Sequence, residues 1–473
     1  MAGFIESRSP SDPTDTLGRF RVAEAGEVDA AVERARRAFP AWRDAGFEAR
    51  AVVLKNFARL ASGGEEELAR LVAREVGKAL WDARAEARIL APKVAVTLAE
   101  GMRLVADVEA AKGVRASHHP RGVLAVLGPF NFPLHLPNGH LVPALATGNC
   151  VVFKPSELAP ASGERLAALF RDAGAPEGVV EVVHGGRDTG RALAGHPDVD
   201  GVLFTGSWAA GRALQADSLD QPGKILALEM GGNNAVIVLE DADLDLAVAE
   251  TAFSVAATTG QRCTCARRVF VQRGLMDAFT EKLVRVLRDL AVGPPLEDGN
   301  FMGPLVSKTA HEGLEHWRGL AEEAGAERVL LADVGRPPPY TGAGLVRFPD
   351  TRQTHPYQRE EIFGPEAALY PVDDLVAAVA AANDSDYGLA ASVFTRDRSS
   401  YEYCVGRLRV GCLNWNKATV GASGKLPFGG LGKSGNDRPA GVSATLYCTT
   451  PQAHLESSAG FDPKMLPPGM PEP

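Results

Sequence analysis

The stretch GVLAVLGPFNFPLHLPNGHLVPALATGNCVVFKPSE, residues 122–157, decides the architecture. It opens on an uncharged apolar run, 122–127, closed by the turn signal Gly128-Pro129, and so predicts a buried strand. A helical pattern over 136–147 follows, then a second strand over 150–153. Further outward, 163–172 is patterned as a helix, 179–184 as a strand, 189–195 as a helix and 201–205 as a strand. Strand–helix units repeated with short connections predict the α/β class and a doubly wound parallel sheet.

Upstream of this unit, Val28, Ala31, Val32, Ala35 and Phe39 recur at the helical period. Helical patterns continue over 48–61, 65–75 and 81–106, and packing accounts for all of them. Downstream, a second α/β region runs from about Glu229 to Gly430. Strands are expected there near 235–239, 269–272 and 392–395, and helices near 244–258, 276–290 and 309–324. A strand-like piece at 444–449 precedes a surface tail ending KMLPPGMPEP.

The chain has 473 residues, enough for two or three domains. Fifty basic residues face 59 acidic ones, and no basic stripe with interleaved aromatics appears, which argues against nucleic-acid binding. The longest apolar run is under half of what a bilayer crossing needs, and the N-terminus carries no signal-peptide pattern. No membrane association and a cytoplasmic location are therefore expected. The six cysteines (Cys150, Cys263, Cys265, Cys404, Cys412 and Cys448) are too dispersed for a disulfide framework. Cys263 and Cys265 lack a second ligand pair, so no metal is expected.

Five stretches carry chemistry, each beside a plainer reading. FTGSWAAG, 204–211, follows a strand and opens a helix, where α/β sheets bind nucleotides. Gly206 and Gly211 are five apart, so a simple junction explains them as well. In VVFKPSE, 151–157, Lys154 ends a strand, and Glu157 would accept from ribose hydroxyls and repel a 2′-phosphate, favouring NAD over NADP. The alternative is a solvated Lys/Glu pair. GQRCTCARR, 260–268, sets Cys263 on a loop where Arg262, Arg267 and Arg268 would depress the thiol pKa if they faced it. A cysteine is also a small buried hydrophobe, the role expected of Cys265. In LALEMGGNN, 226–234, burial would raise the pKa of Glu229 into the range of a general base, or Glu229 is merely a cap. PFNFP, 129–133, holds Asn131 between prolines, as an amide donor to a developing oxyanion or as its own turn cap.

Asn131, Glu229 and Cys263, in that order and with these flanks, resemble the aldehyde dehydrogenase superfamily. EEIFGP at 360–365, NDSDYGLAASVFT at 383–395 and PFGGLGKSG at 427–435 strengthen the resemblance, which spans about 22–447. GKALWDAR at 77–84, HLPNGHLVPAL at 135–145, EMGGNN, RCTCARR and GNDRPAG at 435–441 are similar to bacterial succinylglutamate-semialdehyde dehydrogenases. Departures are Asn234 after EMGGN, GSWAAG in the cofactor loop, and Ala440-Gly441-Val442 after Pro439.

The resemblance implies an NAD-binding domain of 1–101 and 121–230, a catalytic α/β domain of 231–435, and an oligomerisation β-arm and tail of 102–120 and 440–473. It implies a homodimer or a dimer of dimers. The implied substrate is N-succinyl-L-glutamate 5-semialdehyde, oxidised to N-succinyl-L-glutamate in arginine breakdown. Cys263 would form a thioester, with the oxyanion held by Asn131 and the Cys263 N–H, donors worth about 3–4 kcal/mol each in comparable sites. Glu229 would activate the hydrolytic water. NAD contacts fall to Lys154, Glu157, Gly206, Ser207, Gly211, Glu361 and Phe363, with Glu361 on the nicotinamide ribose. The substrate's carboxylates call for cations, for which Arg262, Lys417 and Lys425 are the candidates. Other readings are a dehydrogenase of another semialdehyde or aliphatic aldehyde, a CoA-acylating enzyme, a cysteine hydrolase, and an inactive dehydrogenase-derived binding protein. Glu229 argues against CoA acylation, a nucleotide sheet against a hydrolase, and the retained trio against inactivity.

Overall fold

A computed structural model describes residues 3–473. The opening stretch forms the centre of a five-stranded sheet whose order is Val180–Val182, Cys150–Lys154, Val123–Leu127, Gly201–Thr205 and Ile225–Glu229. Every pairing is parallel, with Leu127 beside Lys154 on one side and Phe204 on the other. Val123–Leu127 comes first in the chain and lies in the middle, so the winding reverses between it and Gly201–Thr205. Such a reversal opens a crevice at the strands' carboxyl ends.

All residues of Val123–Leu127 and Cys150–Lys154 are buried, as two helix-covered faces require. Each fully buried Val or Leu contributes about 1.5–3 kcal/mol. Helix Ala25–Asp44 buries Val28, Ala31, Val32 and Ala35 in this core, the stripe its period predicts, while Phe39 packs at the margin.

The region expected to form one helix over 81–106 is instead broken into Leu80–Arg88, Leu90–Val96 and a wide turn at Thr97–Gly101. Pro92 has no N–H to donate and its ring crowds the preceding turn, so the helix restarts just before it.

The second sheet has the order Glu327–Leu331, Gly344–Arg347, Glu366–Val372, Ala266–Gln272, Asn234–Val238, Ala390–Phe394 and Cys412–Trp415. All pairs are parallel except the first. Val236 and Val238 pack into one core while Ala235 and Ile237 pack into another, so both faces are covered. The strands at 327–331, 344–347, 366–372 and 412–415 escaped the sequence reading because they are short or lack alternation.

Val108–Ala111, Val114–Pro120 and Thr449–Leu455 form a three-stranded antiparallel arm. The strand expected at 444–449 is corrected here. Ala444–Tyr447 is a helical turn, and the β-structure begins at the β-branched Thr449 and Thr450. Ala444, Tyr447 and Cys448 belong to the core of the first sheet. The Tyr447 hydroxyl meets His140 Nδ1 at 2.8 Å, and Asn149 Nδ2 donates to the Cys448 carbonyl at 2.9 Å. No helix among the described residues is long and apolar enough to cross a membrane.

Candidate active site

Loops leaving the carboxyl ends of the first sheet carry Asn131, Glu157 and Gly206, and Lys154 and Glu229 are the last residues of their strands. Loops entering the second sheet carry Cys263 and Glu361. The two sets meet at the seam. Phe130 and Phe363 pack edge to face at 5.9 Å, joining the Asn131 loop to the Glu361 loop. Asn131 Nδ2 donates to the Gln261 carbonyl at 2.8 Å, joining the Asn131 loop to the Cys263 loop. That bond uses one amide hydrogen, orients the group and leaves a second donor.

Cys263 is partly exposed, whereas Cys265 is buried against Ala257, Ala418 and Val420. Asn234 fixes this loop. Its Nδ2 donates to the carbonyls of Cys263 at 2.7 Å and Cys265 at 2.8 Å, and its Oδ1 accepts from the Ala390 N–H at 2.9 Å. The residue noted as a departure is thus the clamp on the thiol-bearing loop.

The expectation that arginines lower the Cys263 pKa is overturned. Burial pushes the thiol up, and the charges of Glu361 and Glu229 push it further. The three guanidiniums are engaged elsewhere. Arg262 pairs with Asp82 at 2.8 Å, Arg267 donates to the Gly260 carbonyl, and Arg268 donates to the Asn233 carbonyl at 2.7 Å.

Glu229 is buried, and Oε1 accepts from the Ala440 N–H at 3.3 Å. Oε2 has no hydrogen-bond partner among the described residues. Burial raises its pKa well above the ordinary carboxylate range, with the Ala440 bond opposing weakly. A cavity of about 190 Å³ lined by Gly429, Asn436, Arg438 and Pro439 adjoins it. Glu361 accepts from the Gly232 N–H at 3.0 Å, and burial lifts its pKa to about 7.

Helix Trp208–Asp217 begins at the mouth of the crevice, and the Ser207 hydroxyl caps it by accepting from the Ala210 N–H at 3.3 Å. Gly206 and Gly211 have an internal packing reason: a Cβ would lie 2.4 Å from Phe204 and 2.3 Å from Met230. Lys154 is buried and donates to the Gly185 carbonyl at 2.6 Å, with its pKa lowered by that burial. Glu157 lies 3.7 Å from its ammonium, with 51% of its side chain exposed at the rim.

The three substrate-cation candidates sit in different settings. Arg262 is tied to Asp82 and Thr258. Lys417 is exposed on a segment whose next residues pack against Cys265, and Lys425 is exposed beyond it. The sequence reading gave no structural role to Asp82, Thr258, Asn234 or Gln261, whose long-range partners appear only in the fold. Among the described residues no His/Cys/Asp/Glu cluster has a geometry for metal.

The sequence model of the aldehyde dehydrogenase family matches residues 2–453, and the chain belongs to that family. It is 42% identical to the N-succinylglutamate 5-semialdehyde dehydrogenase of Erwinia tasmaniensis, over 99% of this chain and 96% of that protein. The same identity holds for the protein of that name from Chromobacterium violaceum, over 99% and 98%. Among solved structures, an Escherichia coli NADP-dependent enzyme superposes with a TM-score of 0.90 at 33% identity, covering 95% of this chain and 94% of that one. An NAD-dependent aldehyde dehydrogenase from Sinorhizobium meliloti superposes with a TM-score of 0.91 at 30% identity, covering 97% and 93%.

Proposed function

We propose that this protein oxidises N-succinyl-L-glutamate 5-semialdehyde to N-succinyl-L-glutamate with NAD, through a thioester on Cys263. The observation that carries the chemistry is the Asn131–Gln261 hydrogen bond, which ties an amide donor to the loop of a partly exposed thiol whose surroundings include the carboxylates of Glu229 and Glu361. The substrate reading is supported by the printed names of the relatives that are 42% identical over nearly the whole chain.

The Cys263 thiol releases its proton to solvent water, and the sulfur attacks the aldehyde carbon. The remaining Asn131 N–H and the Cys263 backbone N–H stabilise the oxyanion. Bound NAD supplies the hydride acceptor. Glu229 then takes a proton from water, and the resulting hydroxide cleaves the thioester. Lys154, Glu157, Ser207, Glu361 and Phe363 would hold the dinucleotide. The arm, with exposed Val108, Val114 and Leu455, supports pairing between copies of the chain.

A panel of succinylglutamate, glutamate, succinate and short aliphatic aldehydes, each with NAD, tests the assignment. The highest kcat/KM is expected for the succinylglutamate semialdehyde. A preference for any other member by tenfold or more rejects the substrate reading and leaves the family membership intact. Glu157→Gln removes the rim carboxylate that would repel a 2′-phosphate. Its NADP/NAD ratio of kcat/KM should rise about tenfold, the scale of one lost charge repulsion near the surface. An unchanged ratio would remove Glu157 from cofactor selection.

A further inference from the structure

Thr258, Thr259 and Gly260 are three consecutive residues in the left-handed region, at φ 54°, 53° and 69°, immediately before Gln261-Arg262-Cys263. Glycine adopts this conformation freely. It is also required at 260, where a Cβ would lie 2.1 Å from the Gly364 backbone. For two β-branched threonines the conformation is strained, and it persists only where surrounding bonds determine it.

Those bonds are present. The Thr258 hydroxyl donates to Asp82 Oδ2 at 2.5 Å and accepts from Arg262 Nε at 2.7 Å. Arg262 Nη2 closes the triangle on Asp82 Oδ1 at 2.8 Å, and the Thr259 hydroxyl donates to the Gly303 carbonyl at 2.9 Å. Asp82 is buried on helix Leu80–Arg88. Burial opposes its charge, but Lys78, Arg262 and the Thr258 hydroxyl outweigh that and hold its pKa below the ordinary value.

The same helix reaches the other half of the site. Glu86 is fully buried with Lys78, and its Oε1 accepts from the N–H groups of Leu134 and His135, just after Asn131. The Phe132 ring lies under the Lys78 ammonium at 3.6 Å and the Arg262 guanidinium at 5.0 Å. One helix therefore grips both the loop of the amide donor and the loop of the thiol.

We propose that Asp82 is a positioning residue: through the Thr258 hydroxyl and Arg262 it holds the left-handed turn that sets the Cys263 sulfur against the Asn131 amide. Arg262 thus serves the loop rather than the substrate's carboxylate. The inference rests on Cys263 being the nucleophile, and Cys263→Ala is run in parallel to keep the two ideas apart.

The test compares Asp82→Asn, Thr258→Val and Thr258→Ser. Iodoacetamide alkylation of Cys263 is followed by peptide mass spectrometry across pH, beside kcat and both KM values. Asp82→Asn is expected to slow alkylation and kcat by 10–100-fold with KM for NAD within twofold. Thr258→Val should lose 3–10-fold in the same two readouts, and Thr258→Ser, which keeps the hydroxyl, should recover to within twofold. If Asp82→Asn does not fold, the valine and serine variants decide alone, because valine keeps the β-branched shape. A folded Thr258→Val with alkylation and kcat within twofold of the parent overturns the proposal. So does a change confined to the aldehyde KM, which would return Arg262 to substrate binding. Turnover by Cys263→Ala would instead sink the nucleophile assignment itself.

Discussion

Replacing Cys263 with alanine is expected to lower NADH formation by roughly 10⁴-fold or more, the scale seen when an activated nucleophile is removed from a concerted site. Binding of NAD should stay within about twofold. The substitution leaves the first sheet untouched, and the loop keeps its anchor because Asn234 grips backbone carbonyls rather than the thiol. Stopped-flow absorbance and dinucleotide titration check both halves. Appreciable residual turnover would reject a covalent route. The raised thiol pKa adds a pH expectation: the acylation rate should climb from neutral towards alkaline pH, since burial and two carboxylates favour the protonated sulfur.

The second large effect belongs to Glu229. Glu229→Gln retains shape and the acceptor for the Ala440 N–H but cannot take a proton. A single burst of NADH followed by a stall is expected, with steady-state kcat reduced by about 10²–10⁴-fold, the usual contribution of a general base. A missing burst would show that the carboxylate acts before hydride transfer. In the parent enzyme the sign is fixed by which form is active. Only deprotonated Glu229 accepts from water, and its pKa is raised well above 4.5, so deacylation must fall as pH drops through that raised value. An acid limb near pH 4.5 would contradict the burial.

Three short flanks marked Asn131, Glu229 and Cys263 in the chain, and the fold sets Glu229 at the end of a strand and the other two on loops. The doubly wound sheet was legible because its two central neighbours, Val123–Leu127 and residues 150–153, are unbroken apolar runs. What escaped was direction. Arg262, Arg267 and Arg268 sit beside the thiol in sequence, yet the strand at Ala266–Gln272 and the turn before it send them to Asp82, Gly260 and Asn233. Proximity along the chain says nothing about where a long side chain ends. Asp82 escaped for the converse reason, since 176 positions separate it from the threonine it holds. Pro92 and the helical turn at Ala444–Tyr447 show a third limit, where one breaker or one buried aromatic outweighs a weak periodic signal.

The last wall of the first core is supplied by Ala444, Tyr447 and Cys448, more than 400 positions from Val28 in the same core. During synthesis the N-terminal unit therefore emerges hundreds of residues before the piece that seals it. Apolar surface around His140 and Asn149 stays uncovered until the chain is nearly complete, the interval in which chaperone capture and aggregation compete with folding. A chain stopped before Ala444 should show this as protease sensitivity near residue 140, whereas resistance equal to the full protein's would mean the unit seals without it.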